Sequence, residues 1–274
     1  MTATPSLRLN NGDLIPQIGY GAFDITGDET TPTVLKALEV GYRSIDTFYG
    51  NEDGVGRAVA QSGLPRDDVF IATKLTVADM LSGNVRGAMQ KSLERLSLDF
   101  VDLYLLHWPA PATDSYLAAW ESLEELQREG LTRAIGVCNF GEMELGRVID
   151  LGGTTPAVNQ IELHPALRNR DVESVNEKHG IITEAWGPLA RGAMLTDPVI
   201  AAIAAAHSRS TAQVILRWHL QQGRVLIPKS ATESRMRDNL NILDFTLSSE
   251  ELGAIDELNQ NERVGPDPRF KNDD

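Results

Sequence analysis

An acid, a phenol, an ammonium group and an imidazole stand in the first half of this 274-residue chain. Asp46 ends the short apolar run Ser44-Ile45-Asp46, Tyr49 precedes Gly50-Asn51-Glu52, Lys74 lies in Ile71-Ala72-Thr73-Lys74-Leu75, and His107 follows Tyr104-Leu105-Leu106. A phenol has an ordinary pKa of about 10, so as a proton donor near neutrality it needs a neighbour that favours phenolate. Lys74 suits that role, Asp46 would keep the ammonium charged and oriented, and His107 would position a carbonyl oxygen by hydrogen bonding. Taken singly, each also has a structural reading: Asp46 as a helix cap or plain ion-pair partner of Lys74, Tyr49 as a half-buried aromatic, Lys74 as a solvated lysine, His107 as a satisfied core histidine. Their joint chemistry is proton delivery to a carbonyl, which calls for a hydride source and hence a nicotinamide cofactor.

The second half supplies contacts for such a cofactor. Asn139 and Gln160 can bond a carboxamide, the indole of Trp186 offers a flat face to a nicotinamide ring, and Gly187-Pro188-Leu189-Ala190-Arg191-Gly192 can form a loop passing close to a pyrophosphate. Lys229-Ser230 followed by Arg235 brings two cations to one place, which suits the 2'-phosphate that distinguishes NADP from NAD. The competing readings are that Trp186 is core, that Gln160 and Glu162 hold each other inside a barrel, and that Lys229 and Arg235 are surface charges near Asp238.

These groups need a frame that gathers them. The pair Asn11-Gly12 between Leu7-Arg8-Leu9 and Leu14-Ile15 predicts an N-terminal hairpin over residues 6–16. After Ile18-Gly19-Tyr20-Gly21, β-prone runs at 44–46, 69–73, 101–106, 134–137, 158–162, 181–185 and 225–227 alternate with helical patterns at 31–40, 53–61, 83–96, 116–129, 143–149, 172–179, 211–221 and 234–243. Two further helices, at 198–206 and 248–258, read as additions. Eight strand-helix pairs without a composition break predict one (β/α)8 barrel spanning 1–274, in which chemistry gathers at the carboxyl ends of the strands. A doubly wound sheet is the competing architecture, but Gly19-Tyr20-Gly21-Ala22-Phe23-Asp24 lacks the third glycine of its fingerprint. The polar tail from Val264 to Asp274 is expected to be mobile.

Composition narrows the function classes. With 25 basic and 39 acidic residues the formal net charge is -14, which argues against nucleic acid or an anionic membrane as partner. A single cysteine, Cys138, excludes an intrachain disulfide framework, and no apolar run approaches the roughly 20 residues that span a bilayer, so a cytoplasmic protein is expected. The histidines at 107, 164, 179, 207 and 219 show no close pairing of the kind that holds a catalytic metal, so none is expected.

The segments GYRSIDT, YGNE, IATKL, DLYLLHWP, PAVNQIELHP, WGPLARG and IPKS with its following Arg235 and Asn239 resemble the aldo-keto reductase superfamily over nearly the whole chain, and most resemble its bacterial 2,5-diketo-D-gluconate reductase branch. The resemblance implies a (β/α)8 TIM barrel that binds NADPH without a Rossmann fold and reduces aldehydes or ketones, possible substrates including keto-sugar acids such as 2,5-diketo-D-gluconate. By matching motif it implies a tetrad of Asp46, Tyr49, Lys74 and His107, with Tyr49 as the acid. It implies nicotinamide contacts at Cys138, Asn139, Gln160 and Trp186, pyrophosphate contacts at Gly187, Leu189 and Gly192, and adenosine-phosphate contacts at Lys229, Ser230, Arg235 and Asn239. Phe23 and Trp108 would wall the substrate pocket, and the protein would be a monomer.

Three features depart from that pattern. Only Thr47-Phe48 separate Asp46 from Tyr49 where the family usually has about four residues, and at ~3.3 Å per extended residue the loss of two shortens the reach of the phenol toward Lys74 by several ångströms. Cys138 replaces the usual Ser, and Thr76 replaces a common aromatic. The short segment leaves a second function open: a barrel that binds the cofactor but has weak or altered catalysis, as a sensor or scaffold.

Overall fold

The computed structural model describes residues 4–274. Strands β1 (Ser6–Arg8) and β2 (Leu14–Pro16) form the antiparallel hairpin, paired Arg8 to Leu14 and Ser6 to Pro16. Eight parallel strands follow in spatial order equal to chain order: β3 (Tyr20–Gly21), β4 (Ser44–Asp46), β5 (Phe70–Leu75), β6 (Val101–Leu106), β7 (Thr132–Cys138), β8 (Val158–Glu162), β9 (Ile182–Trp186) and β10 (Val225–Leu226). A parallel bridge between Ile18 and Leu226, with the Gly19 amide donating to the Leu226 carbonyl at 2.8 Å, joins the last strand to the first and closes the barrel. At this seam a Cβ on Gly21 would lie 2.7 Å from the Ile227 carbonyl oxygen, so only glycine lets the two chain segments approach.

The helices are α1 (Thr30–Val40), α2 (Glu52–Ser62), α3 (Val77–Ser82), α4 (Val85–Leu96), α5 (Ser115–Arg128), α6 (Glu142–Asp150), α7 (Arg170–Lys178), α8 (Pro198–Ala206), α9 (Thr211–Gln221), α10 (Glu233–Leu240) and α11 (Ser249–Asp256). The expected helix over 83–96 is observed as α4, and α3 is a further short helix ahead of it. Gly83 takes a left-handed φ of 71° and ends α3, and the Asn84 side chain then accepts from the Gly87 amide and starts α4. Buried apolar side chains of these helices, among them Val34, Leu38, Val55, Met89, Trp120 and Leu123, pack on the outside of the sheet. Leu9 and Ile15 from the hairpin cluster instead with Ala72, Leu103, Leu105, Ala134, Val158 and Val225, stopping the amino-terminal end of the barrel. Among the described residues no single helix is long and apolar enough to cross a membrane.

From Val264 to Asp274 the polar tail runs along the barrel rim. The amides of Val264 and Gly265 donate to Glu162 Oε1 at 2.5 and 3.3 Å. Farther on, Asn272 Oδ1 accepts from the Ala112 amide and the Asp274 side chain from the Val77 amide at 2.9 Å.

Candidate active site

The buried half of the site is built by strand register. Asp46 is the last residue of β4 and Lys74 the last but one of β5, and both side chains point into the closed end of the mouth, 5% and 7% exposed. The Lys74 ammonium donates to Asp46 Oδ1 at 2.7 Å, to Asp46 Oδ2 at 2.6 Å and to the Thr47 carbonyl at 3.1 Å. Its three donors are all engaged. Burial opposes the Lys74 charge, but the Asp46 carboxylate outweighs it and holds the ammonium pKa above the ordinary lysine value. Behind the pair, Cys138, Gln160 and Glu184 are register partners on β7, β8 and β9 and therefore share one face. Gln160 Nε2 donates to Asp46 Oδ2 at 2.9 Å and to Glu184 Oε2 at 2.8 Å, while the Cys138 thiol lies 3.8 Å from Gln160 Oε1. Burial pushes the Cys138 thiol well above its usual range, so it is a neutral donor.

The rim of the mouth carries the groups that follow strand ends. Asn139, with a left-handed φ of 63°, donates from Nδ2 to the His107 carbonyl at 3.1 Å and accepts from Trp186 Nε1 at 2.8 Å. Asn139 thus ties β6, β7 and β9 together. His107 lies with its ring centroid 5.8 Å from that of Trp108, and its Nδ1 is 3.1 Å from the Asp274 carboxylate. Burial lowers the His107 pKa, with the Lys74 charge in the same sense, and the Asp274 bond resists, so the ring is neutral at neutral pH. Phe23 is half exposed, while Trp108 is buried with the Lys271 ammonium 6.0 Å from its ring centre.

Tyr49 is not brought to this cluster. Its side chain is 50% exposed, its ring stands edge-on to Phe48 at 5.1 Å, and it lines an outer cleft with Thr76, Asp79, Lys91 and Arg95. Phe48 takes the inner place, 6.0 Å from the Phe23 ring and 6.3 Å from that of His107. The cause is the short segment. Asn51 is fixed by Thr47 and by the Ala22 carbonyl at 2.7 Å, and the next residue, Glu52, is fixed by Thr73 and Arg95 at 2.6 Å each. The chain must pass from Asp46 to Asn51 in one turn, closed by the Asn51 amide on the Phe48 carbonyl at 3.0 Å, with Tyr49 at its tip.

The second half of the mouth has the features a dinucleotide phosphate needs. Gly187, Ala190, Arg191 and Gly192 all have positive φ, of 58°, 50°, 50° and 95°, so the segment after β9, including Leu189, curls on itself. Lys229 and Arg235 are exposed, and among the described residues neither side chain has a hydrogen-bond or ion-pair partner. Ser230 and Asn239 lie buried close by in sequence, Ser230 Oγ accepting from the Thr232 amide at 3.1 Å. Two unpaired cations after the last strand fit an adenosine phosphate, and the half-buried Trp186 ring fits a stacked nicotinamide. No group of three or more metal-ligating side chains occurs among the described residues.

Two residues of the site carry little or no signal in the sequence. Glu184 is 2% exposed inside the barrel, and its signal was a carboxylate two residues before Trp186, on the same face of a parallel strand that ought to be apolar throughout. Asp274 gave no signal, because only the tail's path brings it to His107. Glu162 does not hold Gln160; it accepts from or pairs with His164 at 3.0 Å and anchors the tail.

A closed (β/α)8 barrel with a buried lysine-aspartate pair at its strand ends and open cations after its last strand is the frame of a barrel oxidoreductase. The profile of the Aldo/keto reductase family matches residues 17–260, and this chain belongs to that family. The methylglyoxal reductase DkgA of Yersinia pestis is 47% identical over 272 residues, covering 98% of each chain. An aldo-keto reductase of Mycolicibacterium vanbaalenii is 47% identical over 268 residues, 97% of this chain and 96% of that one. Among solved structures, a Gox0644 mutant in complex with NADPH superposes with a TM-score of 0.93 at 39% identity, covering 98% of this chain and 99% of that one. An aldo/keto reductase from Brucella melitensis gives a TM-score of 0.90 at 45% identity, over 94% and 100% of the two chains.

Proposed function

We propose that this protein reduces the carbonyl group of small aldehydes or ketones to an alcohol, with NADPH as cofactor and Tyr49 as proton donor. The observation that carries the proposal is the buried bidentate Lys74–Asp46 pair placed beside His107 at the barrel mouth. A fixed ammonium at this point is what a phenol needs in order to give up its proton near neutral pH. NADPH, when bound, supplies the hydride to the carbonyl carbon. Trp186, Gln160 and Asn139 would hold its nicotinamide, the 187–192 segment its pyrophosphate, and Lys229, Ser230, Arg235 and Asn239 its adenosine phosphate. The carbonyl oxygen takes the Tyr49 proton, His107 orients that oxygen, and the half-exposed phenolate is reprotonated from water.

For Tyr49 to act, the turn of residues 47–50 must re-form so that the phenol takes the place the Thr47 carbonyl holds on Lys74. That carbonyl makes the longest of the three Lys74 bonds, 3.1 Å, and Gly50 gives the turn freedom. A small neutral substrate is favoured over a keto-sugar acid such as 2,5-diketo-D-gluconate. The relatives named methylglyoxal reductase support this, as does the Asp274 carboxylate at the rim, which would repel an anion. The test is to follow loss of NADPH absorbance with methylglyoxal and with 2,5-diketo-D-gluconate in turn. Faster turnover of methylglyoxal is expected; turnover of the diketo acid alone would overturn the substrate assignment.

The full engagement of the Lys74 donors favours a second reading, a barrel that binds NADPH without efficient reduction. Tight NADPH binding with no turnover of any simple aldehyde would establish it.

A further inference from the structure

The reduction proposed above leaves one buried acid without a part. Glu184 sits on β9 inside the barrel, 2% exposed, with Gln160 beside it, Cys138 one strand farther, and the Asp46–Lys74 pair reached through Gln160. On its other side the registered neighbour is the apolar Val225. A buried carboxyl with a single modest hydrogen bond is costly unless its position is used. Here the use is visible in the amide it touches. Gln160 faces two carboxyl oxygens, Asp46 Oδ2 and Glu184 Oε2, and only its NH2 group can meet both. Its carbonyl is therefore turned the other way, with only the distant Cys138 thiol at 3.8 Å, and keeps accepting capacity for a donor such as a carboxamide NH2.

We propose that Glu184 is a positioning residue of the reduction site: it fixes the Gln160 amide with its carbonyl toward the cofactor, and its ionisation adds a second negative charge behind the Lys74–Asp46 pair. The inference rests on the NADPH reading of the mouth. The groups that face Glu184 act in opposed senses. Burial first and then Asp46 raise its pKa to about 7, while the Gln160 bond and Lys74 draw it down. Glu184 thus changes charge where the enzyme works. The extra charge favours the ammonium of Lys74 and disfavours an anionic phenolate, so ionisation slows the step in which Tyr49 gives up its proton.

The linkage has a definite sign. A carboxyl whose folded pKa is raised from 4.5 to about 7 stabilises the fold fully only below its unfolded value, and that contribution is lost as pH rises toward 7. The experiment compares wild type with Glu184→Gln, which keeps the volume and an acceptor for Gln160, and with Glu184→Leu, which keeps neither. In Glu184→Gln, the melting temperature is expected to lose the part of its decline that wild type shows between pH 5 and 7. The neutral-range inflection of kcat should vanish, with NADPH Kd within about twofold of wild type. In Glu184→Leu, NADPH Kd by intrinsic Trp fluorescence should rise about tenfold, the effect of one misplaced hydrogen bond. An unchanged pH profile of both kcat and melting temperature in Glu184→Gln overturns the inference, even if Glu184→Leu fails to fold. Wild type that shows the melting behaviour but never binds NADPH would overturn the cofactor reading instead, since the melting measurement needs no cofactor.

Discussion

The two halves of the mouth are held by different means. Asp46, Lys74, Cys138, Gln160 and Glu184 lie on strands, and hydrogen-bonded register sets where each points. Tyr49 and Asp274 lie on a turn and a tail, where the length of chain between anchors sets the position. The short segment between Asp46 and Asn51 therefore leaves the lysine-aspartate pair in place and holds the phenol at the surface. A barrel protects its strand-borne chemistry from changes in loop length, and its loop-borne chemistry has no such protection.

The strand half gives the largest expected effect when broken. Lys74→Met leaves the Asp46 carboxylate buried without its ion partner, which costs on the order of 3–5 kcal/mol, and it should abolish turnover. Adding Asp46→Asn to Lys74→Met should recover much of the lost thermal stability and none of the turnover, read by thermal melts and NADPH consumption. Full activity in either variant would mean that the pair is structural only.

An intermediate effect is expected where the chain's unpaired cations meet solvent. Arg235→Ala should weaken NADPH by roughly tenfold or more while NADH affinity and melting temperature stay as in wild type, since a charge-assisted phosphate contact is lost and no protein contact with it. Equal loss for both cofactors would remove the 2'-phosphate assignment.

The rim contact of the tail gives the smallest effect. The Asp274 carboxylate occupies Nδ1 of His107 and holds the imidazole pKa up against burial. Asp274→Ala should lower that pKa further, seen by NMR titration of the ring, and raise kcat/KM by about threefold, in the range of one partly exposed hydrogen bond. A His107 pKa that rises in the variant would contradict the contact.

Most of the frame was legible because strand-helix alternation is a local property. The runs at 44–46, 101–106 and 158–162 are the strands observed, and Thr211–Gln221 is the helix observed. The helix α3 was not legible because six residues, Val77–Ser82, are too few turns to show a helical period. In the site, the convergence of Asp46, Lys74, Cys138 and Gln160 was legible because a barrel brings all its strand ends to one rim. The position of Tyr49 was not, although the short segment before it gave warning. Its outward turn depends on the anchoring of Asn51 and Glu52 by Ala22, Thr73 and Arg95, which are distant in sequence. The seating of the tail on Glu162 and His107 is likewise a long-range fact with no local signature.

The most direct test of the account is Tyr49→Phe, assayed for steady-state reduction of methylglyoxal and for NADPH affinity. The expected result is a fall in kcat of roughly 10²–10⁴-fold, the usual contribution of a positioned general acid, with NADPH Kd unchanged. Wild-type turnover in Tyr49→Phe would contradict it, and would mean that the phenol stays at the surface during the reaction and that another group delivers the proton.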